Sequence, residues 1–478
     1  MAIEQYFFIV LAVIVLQVEL GLAGSYSTVE YLPGFEGPLP FQLQTGYVGV
    51  DEAEEVQLFY YFLKSEGNVK EDPLLLWLTG GPGCSALSGL LYEVGPLTFE
   101  VVEYNGSLPK LILNPHSWTK AASIIFVDMP VGTGFSYAKT QPAYHSSDLI
   151  QVHQADQFLR KWLRDHPEFL PSPVYIAGDS YSGIPLPAIV QQISNGNEEG
   201  MEPLINLKVL FKKKKKNLKG YILGNPITDP NFDTNSKVSY AHGMGLISDE
   251  LYESLKRSCR GNYVDIEPSN TECLRNMQGF NKCVEGLQTG YILEPSCGFA
   301  SPKPFEIFDK RRSLIQNSPD FLQIDPTYPS FGCPAYGYVL SYIWVNDSSV
   351  REALHIREGS IEQWVRCNTE LSYTSDIPIS LVYHVSLGKK GYRSLIYSGD
   401  QDMVVPFLGT QAWIRSLNYS IVDDWRPWLV RGQIAGYTRT YSNQMTFATV
   451  KGGGHTAPTY KPEVCFAMFK RWKSHEPL

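Results

Sequence analysis

Short apolar runs recur along the chain, and each ends abruptly in a glycine, an aspartate, an asparagine or a proline. They begin at Leu74, Ser123, Val174, Tyr221 and Ser394, and read LLLWLTG, SIIFVDMP, VYIAGDS, YILGNP and SLIYSGDQD. A continuous apolar run of this length, bounded by turn residues, is typical of a strand that is buried on both faces. The pattern therefore predicts five buried strands, each followed by a sharp turn.

The segment between the second and third runs has helical periodicity instead. DLIQVHQADQFLRKWLRDHPEF, residues 148–169, carries apolar residues at helical spacing, and Pro167 follows them. Strands that alternate with helices form a mostly parallel sheet covered on both faces, so we expect an α/β fold. Ligands bind such sheets at the carboxyl ends of the strands, where the polar residues of these runs lie.

The pattern changes between about residues 231 and 342. This region is rich in Asn, Pro and Gly, and it holds five of the eight cysteines: Cys259, Cys273, Cys283, Cys297 and Cys333. We interpret it as a lid inserted into the α/β domain and stapled by disulfides, rather than as a second domain of the same kind. Strand-like patterning resumes near Leu395.

The amino-terminal residues are typical of a secretory signal. An apolar run extends from Tyr6 to Leu16, which is too short to span a bilayer, and small residues follow it. No Lys or Arg precedes the run, so an uncleaved anchor is the alternative. We predict a signal peptide over residues 1–24, an α/β domain over residues 25–478, and no stable membrane insertion after cleavage.

Entry into the secretory pathway affects the interpretation of other features. The cysteines become plausible disulfide formers, and three Asn-x-Ser sequons become candidate glycosylation sites: Asn105, Asn346 and Asn418.

We interpret the lysine-rich segment INLKVLFKKKKKNLKG, residues 205–220, as a solvated surface loop rather than a nuclear signal. The tripeptide Asn-Leu-Lys on both sides of its centre leaves an inserted segment without function as the alternative. A net charge of −9 makes a general nucleic-acid partner unexpected.

The third apolar run ends in a serine flanked by small residues. GDSYSG places Ser180 where a strand turns sharply into a helix, and this elbow exposes a nucleophilic hydroxyl above the sheet. The sequence departs from G-x-S-x-G, because Ser182 stands where the second glycine is expected and Gly183 follows one position later. A lone motif of this kind is weak, and a strand that runs into an ordinary loop is the alternative.

A serine nucleophile needs a base, and the base needs an acid that orients it. YSGDQDMVVP supplies Asp400 and Asp402 at a strand end, and KGGGHTAP places His455 on a glycine-rich loop. The order Ser, Asp, His along the chain is that of the α/β-hydrolases. Together these residues indicate nucleophilic catalysis by Ser180.

A glycine-rich segment after the first strand could stabilise the negative charge that such catalysis develops. In LTGGPGCSA, the N–H of Gly81 would act with the N–H of Tyr181 as an oxyanion hole, although a tight turn without such a role is the alternative. We find no Cys and His spacing typical of a zinc site, and the chemistry requires neither a metal nor an organic cofactor.

Five motifs in this order, WLTGGPGCSA, GDSYSG, GNPITD, YSGDQDMVVP and GGGHTAP, resemble the serine carboxypeptidase family, in particular its plant serine carboxypeptidase-like branch. The resemblance runs from about Tyr31 to the end of the chain. It implies an α/β-hydrolase fold with a mostly parallel central sheet and a disulfide-stapled lid. It also implies a triad of Ser180, Asp402 and His455, a structural role for Asp400, and an oxyanion hole formed by Gly81 and Tyr181.

The same resemblance implies a disulfide pattern. The family's bridges correspond here to Cys84–Cys367, Cys259–Cys273 and Cys297–Cys333, which leaves Cys283 and Cys465 free. It further implies residence in the vacuole or outside the cell.

The resemblance also bears on the substrate. Family peptidases usually have Asn at the position of Thr79 and Glu at that of Asp179, and with Gly80 and Glu93 these groups hold the carboxylate of a peptide's C-terminus. Here two of the four groups differ, because Thr lacks the amide donor and Asp is one methylene shorter. The substitutions favour the branch that transfers acyl groups from 1-O-β-glucose esters.

We therefore expect an acyltransferase that moves an acyl group, of phenolic type, from a glucose-ester donor to the hydroxyl of a small-molecule acceptor. A serine-type carboxypeptidase is the alternative, since all positions of the triad are present. A secreted protein without catalytic activity is the third hypothesis, and the intact triad argues against it.

Overall fold

The computed structural model describes residues 26–206, 220–296, 333 and 336–478. The predicted signal peptide, most of the lysine-rich segment and Cys297 lie outside these residues. The described strands are β1 (Tyr26–Val29), β2 (Leu43–Val50), β3 (Val56–Leu63), β4 (Leu74–Leu78), β5 (Leu97–Phe99), β6 (Leu111–Leu113), β7 (Ser123–Val127), β8 (Tyr137–Ala138), β9 (Ser146–Ser147), β10 (Val174–Asp179), β11 (Gly220–Gly224), β12 (Tyr373–Thr374), β13 (Arg393–Gly399), β14 (Ile421–Val430), β15 (Gln433–Tyr441) and β16 (Met445–Val450).

The described α-helices connect these strands and cover the sheet. They are α1 (Asp148–Asp165), α2 (Pro185–Glu198), α3 (Pro230–Gly243), α4 (Asp249–Cys259), α5 (Thr271–Val284), α6 (Tyr336–Val345), α7 (Ser348–Ala353), α8 (Leu381–Lys389), α9 (Phe407–Ser416), α10 (Ala457–Tyr460) and α11 (Pro462–Lys473). Within the part of the chain that the structure describes, none of them is both long and apolar enough to cross a membrane.

A single large sheet organises the molecule, with strand order β1-β2-β3-β7-β4-β10-β11-β13-β16-β15-β14 and β8 paired to β3. The six strands from β7 to β16 run parallel, and the strands on either side are antiparallel. The five apolar runs form β4, β7, β10, β11 and β13, which are neighbours in the centre of the sheet. The predicted α/β-hydrolase fold with a mostly parallel sheet is confirmed.

These central strands read as continuous apolar runs because helices cover both faces of the sheet. In β4, Leu75 and Trp77 belong to one core, whereas Leu74 and Leu76 belong to the core on the opposite face. All four side chains are fully buried. The alternation follows from the two-residue period of a strand, which sends successive side chains to opposite faces.

Helix α1 occupies the segment for which the sequence predicts a helix. It begins after Ser147, whose hydroxyl accepts a hydrogen bond from the N–H of Ile150 at 3.2 Å, as expected of an N-cap. It ends at Asp165, just before the non-helical His166, and a separate 3₁₀ turn begins at Pro167.

Between β11 and β13 the chain forms helices that have an apolar core of their own. Helices α4 and α5 are joined by the Cys259–Cys273 disulfide. Leu255 and Phe280 pack in this core, and Met403, next to Asp402, reaches into it from the α/β domain. That the region from about residue 231 to 342 acts as a lid stays a prediction.

Candidate active site

Ser180 lies at the sharp turn between β10 and helix α2. Its φ is 53°, in the left-handed region that residues other than glycine rarely adopt. The N–H of Ile227 donates to its carbonyl oxygen at 2.9 Å, which helps to fix the turn. The backbone strain and the position at the carboxyl end of a central strand are those of a nucleophile elbow.

The irregular spacing of the elbow motif has a steric explanation. A Cβ atom on Gly183 would lie 2.3 Å from the carbonyl oxygen of Ile227, so this position has no room for a side chain. Ser182 is tolerated one residue earlier, because its hydroxyl donates to the carbonyl oxygen of Asp179 at 2.6 Å. The glycine requirement has therefore moved from position 182 to position 183.

The structure brings His455 and Asp402 to Ser180, although they lie more than 200 residues further along the chain. The Nε2 atom of His455 is 2.7 Å from Ser180 Oγ, and its Nδ1 atom is 2.8 Å from Asp402 Oδ2. Burial disfavours the charged imidazolium, but the Asp402 carboxylate outweighs this effect and raises the pKa of His455 above its ordinary value. The neutral imidazole, which is present above that pKa, can accept the serine proton.

Asp402 is fully buried and held by three donors besides His455. The Nδ2 group of Asn225 donates to Oδ2 at 2.8 Å, and the N–H groups of Val404 and Val405 donate to Oδ1 and Oδ2 at 2.7 and 3.3 Å. These bonds keep the carboxylate facing the imidazole. Asp400, by contrast, accepts from the N–H of Gly452 at 2.7 Å and so ties two loops together.

A short segment of the inserted region lies against both triad loops. The N–H of His455 donates to the carbonyl oxygen of Gly290 at 2.7 Å, and the N–H of Met403 donates to that of Thr289 at 2.8 Å. The N–H of Ile292 donates to Gln401 at 3.1 Å. The insertion thus helps to position the base and the acid.

The glycine-rich loop after β4 lies directly beside the nucleophile. A Cβ atom on Gly80 would lie 2.6 Å from Ser180 Cβ and 3.0 Å from the backbone nitrogen of Tyr181, so only glycine permits this approach. Gly81 follows with φ 128° and lines the same cavity. The proximity is what an oxyanion hole requires, and the roles of Gly81 and Tyr181 stay predictions.

Two buried carboxyl groups lie beneath this loop. Asp179 Oδ1 accepts a hydrogen bond from the N–H of Gly80 at 3.0 Å. Burial raises the pKa of Glu93 well above its ordinary value, and the adjacent Asp179 carboxylate raises it further. Burial also raises the pKa of Asp179, while His455, the Gly80 bond and a bond from Glu93 oppose that rise. Burial and the proximity of the two carboxyl groups therefore favour a state in which the pair holds a proton between them.

A cavity of about 410 Å³ opens above these groups. Several of its lining residues hold buried polar atoms without a hydrogen-bond partner: Thr79 Oγ1, Ser88 Oγ, Glu93 Oε2 and Arg366 Nε. Tyr92, Tyr338 and Tyr460 contribute aromatic surface to its wall. The wall of the cavity thus combines apolar surface with polar side chains, as is typical of ligand-binding cavities. No group of three or more His, Cys, Asp or Glu side chains among the described residues is arranged to hold a metal ion.

Comparison with known proteins decides the family. The family model for serine carboxypeptidase matches residues 33–475. The chain belongs to the serine carboxypeptidase family. Among its relatives is serine carboxypeptidase-like 17 of Arabidopsis thaliana, which is 52% identical over 97% of this chain and 96% of its own length. Serine carboxypeptidase-like 2 of the same plant is 54% identical over 95% of this chain and 94% of its own length.

A solved structure of similar fold is that of a prohormone-processing carboxypeptidase from Saccharomyces cerevisiae. Its crystal structure matches with a TM-score of 0.70 and 22% sequence identity, and covers 94% of this chain and 95% of its own. At this identity the likeness concerns the fold alone. The plant serine carboxypeptidase-like proteins are the nearer comparison for the site.

Two residues of this carboxypeptidase-type site are missing from the sequence-based prediction. Asn225 lies within the GNPITD motif at the end of β11, but nothing in the sequence connects it to Asp402. Arg366 precedes Cys367, and its place in the cavity wall follows from the Cys84–Cys367 disulfide.

The structure contains the Cys84–Cys367 and Cys259–Cys273 disulfides that the family resemblance implied. Cys333 is also disulfide-bonded, and its expected partner, Cys297, lies outside the described residues. Cys283 and Cys465 are free, the first exposed and the second buried.

The three sequons differ in their surroundings. Asn105 and Asn418 are exposed, so their side chains are open to modification. The Nδ2 group of Asn346 donates to the carbonyl oxygens of Tyr342 and Trp364, both at 3.0 Å. A glycan on Asn346 would replace one of these bonds, and glycosylation therefore stays a prediction that favours the other two sites.

Proposed function

We propose that this serine carboxypeptidase-like protein transfers an acyl group from a 1-O-β-glucose ester to the hydroxyl of a small acceptor. The observation that carries the proposal is the set of unpartnered polar atoms in the cavity. The hydroxyls of Thr79 and Ser88 can both donate and accept, and Glu93, whose pKa is raised by burial, lines the same cavity. Neutral groups of this kind complement the hydroxyls of glucose better than they complement a carboxylate.

The first half of the reaction forms an acyl-enzyme. His455 takes the proton from Ser180 Oγ, which attacks the ester carbonyl of the donor while the N–H groups of Gly81 and Tyr181 bind the oxyanion. The bond between the acyl carbon and the glucose oxygen then breaks, and the imidazolium gives its proton to the departing glucose. Asp402 keeps the imidazole in the required tautomer.

The second half returns the serine to its starting state. The acceptor hydroxyl gives its proton to His455 and attacks the acyl carbon, which forms the new ester. The bond to Ser180 Oγ then breaks, and the oxygen recovers its proton from His455. Water competes with the acceptor at this step, so acceptor binding in the cavity determines the yield of transfer over hydrolysis.

Carboxypeptidase activity is the second candidate, and the Glu93–Asp179 pair favours it. A shared proton between two acids can hold an anionic peptide terminus at acidic pH, as the family's peptidases do. The residue at position 79 weakens this clamp, because Thr79 cannot supply an amide donor. A lost hydrogen bond to a charged group costs about 1.5–3 kcal/mol, or about ten- to a hundredfold in affinity.

The decisive experiment offers the purified secreted protein two substrates in parallel at mildly acidic pH. One is a hydroxycinnamoyl 1-O-β-glucose ester with a mixture of alcohol acceptors, and the other is a blocked dipeptide with a free C-terminus. We expect new esters with release of glucose, and no product from Ser180→Ala. Release of the C-terminal amino acid without ester formation would contradict the proposal.

The variant Thr79→Asn is the matched comparison. It restores the amide that family peptidases usually carry at this position and leaves the triad unchanged. We expect it to increase hydrolysis of the dipeptide and to reduce transfer from the glucose ester. An unchanged ratio of the two activities would show that position 79 does not separate them.

A further inference from the structure

Three consecutive glycines precede the catalytic base. Gly452, Gly453 and Gly454 lie between β16 and His455, and Gly452 has a φ of 71°. Glycine loses more conformational freedom on folding than any other residue, so a run of three gives the loop little preference of its own for one conformation. The position of the imidazole therefore depends on contacts from outside the loop.

The α/β domain fixes the end of this loop that is farther from the imidazole. The N–H of Gly452 donates to Asp400 Oδ1 at 2.7 Å. The carbonyl oxygen of Gly453 accepts from the N–H of Gln401 at 2.9 Å. Both contacts come from the loop that follows β13, and neither involves Gly454.

The end of the loop nearer to the imidazole lies against two tyrosine rings. A Cβ atom on Gly454 would lie 2.6 Å from Cε2 of Tyr460 and 2.9 Å from Cβ of Tyr291, so only glycine fits here. The two rings stack on each other, with their centroids 4.2 Å apart and 27° between their planes. Tyr460 ends helix α10, which follows the loop, whereas Tyr291 belongs to the inserted region. The stacked pair thus holds the loop against the insertion.

The segment that carries Tyr291 has anchors besides this stack. The N–H of Ile292 donates to the carbonyl oxygen of Gln401 at 3.1 Å, and the side chain of Ile292 packs against the apolar core of the insertion. Tyr460 lines the catalytic cavity, but Tyr291 does not. A substitution of Tyr291 therefore removes the stack and leaves the cavity wall in place.

We propose that Tyr291 is a positioning residue for the catalytic base, because its ring, stacked on Tyr460, holds Gly454 and keeps the imidazole of His455 beside Ser180. Tyr291 acts through His455 and does not touch the substrate. The inference goes beyond the proposed function, since acyl transfer and peptide hydrolysis both require His455 to take the proton of Ser180. A side chain of the insertion thereby contributes to the rate of the chemical step.

The test measures the rate at which diisopropyl fluorophosphate labels Ser180 in the purified full-length protein. In this reaction the serine oxygen bonds to phosphorus, fluoride leaves and His455 takes the serine proton, so the rate depends on the base and not on the natural substrate. We expect Tyr291→Ala to label about ten- to a hundredfold more slowly, because a small displacement of a catalytic group has an effect of this size. With a turned-over substrate, kcat should fall by a similar factor while KM changes little.

Two further variants at this position separate the stack from the packing of the segment. Tyr291→Phe keeps the ring and should label at the rate of the wild type. Tyr291→Leu keeps apolar bulk without a flat ring, and its rate should fall between those of the alanine and phenylalanine variants. In a double-mutant cycle with Tyr460→Ala, the losses should not add, because either substitution alone removes the stack.

The matched control is Tyr252→Ala. Tyr252 also lies in the insertion and stacks on His242, with the ring centroids 4.0 Å apart and 4° between the planes, but neither ring lines the catalytic cavity. This variant should label at the rate of the wild type even if its midpoint of thermal unfolding falls.

Three results would overturn the inference: labelling of Tyr291→Ala at the rate of the wild type, equal losses in Tyr291→Ala and Tyr252→Ala, or an equal loss in Tyr291→Phe. The second would indicate a general loss of structure in the insertion, and the third a role for the hydroxyl rather than the ring. If the wild type forms no ester from a glucose-ester donor, the proposed function fails, but the comparison of labelling rates still decides the role of Tyr291.

Discussion

At the scale of single residues, the site depends on side chains that hold other side chains. His455 can act as a base only if Asp402 keeps its orientation, and Asp402 depends in turn on Asn225. The Oδ1 atom of Asn225 also accepts from the N–H of Gly399 at 3.2 Å, so the amide connects the ends of β11 and β13. We regard Asn225 as a positioning residue for the catalytic acid.

Replacing Asn225 by glycine tests this role. Glycine adopts the positive φ of 42° without strain, so the change mainly removes the hydrogen bonds of the side chain. A hydrogen bond to a charged group is worth about 1.5–3 kcal/mol, and we expect kcat to fall by about ten- to a hundredfold. Since the base is less well oriented, KM should change less than kcat.

The control for this substitution is Asn443→Gly. Asn443 is exposed and has a φ of 62°, but it lies in the turn before β16, away from the triad. It should leave kcat unchanged. If both variants lose the same amount of kcat, or if Asn225→Gly changes only the midpoint of thermal unfolding, Asn225 has only a structural role.

At the scale of elements, disulfides fix loops that the sheet leaves free. Cys84–Cys367 closes a separation of 283 residues and pairs the loop after β4 with the segment that carries Arg366. Cys259–Cys273 closes a separation of only 14 residues, between α4 and α5. The two bonds therefore have different consequences for the site.

Removing each bond by a pair of Cys→Ser substitutions separates these consequences. Loop-closure entropy predicts a loss of about 5 kcal/mol for Cys84–Cys367 and about 3 kcal/mol for Cys259–Cys273. We expect the first variant also to lose most acyl transfer, because the cavity wall shifts. Unfolding midpoints and transfer rates measure the two effects.

The Cys259–Cys273 variant serves as the comparison. It should keep the rate at which diisopropyl fluorophosphate labels Ser180, since neither cysteine lines the cavity. Equal losses of transfer in the two variants would show that the first disulfide does not specifically position the wall.

At the scale of the whole molecule, a buried acid couples stability to pH. Glu93 has a pKa well above its ordinary value in the folded protein, because burial and Asp179 disfavour its anion. As pH rises past the ordinary carboxyl value, the unfolded chain loses this proton while the folded protein retains it. The stability that the neutral acid contributes is therefore present at acidic pH and is lost as pH rises.

Glu93→Gln removes this dependence, because the amide keeps a neutral donor beside Asp179. One retained proton changes the free energy of unfolding by up to about 1.4 kcal/mol per pH unit. When the free energy of unfolding is measured from about pH 5 to about pH 8, we expect that of the wild type to fall more steeply with pH than that of the variant. Glu272→Gln, an exposed change of the same kind on α5, should leave the slope as in the wild type. Identical slopes for the wild type and Glu93→Gln would contradict the assignment.

The central sheet could be predicted because each of its strands can be recognised from its own residues. LLLWL and SIIFV are apolar throughout and end in turn residues, so each reveals a strand buried on both faces. The edge strand β14 cannot be recognised in this way, since its residues IVDDWRPWLV are mostly exposed and include Pro427. Its pairing with β15 depends on neighbours that the sequence pattern does not identify.

The sequence by itself determined the α/β-hydrolase architecture and the family, because turn residues, strand patterns and the order of Ser180, Asp402 and His455 are properties of short segments. Only the tertiary structure decided which groups act together. Asn225 meets Asp402, Glu93 meets Asp179, and Arg366 joins the wall of the nucleophile's cavity. The first two contacts join residues 177 and 86 positions apart, and burial and charge act through space rather than along the chain.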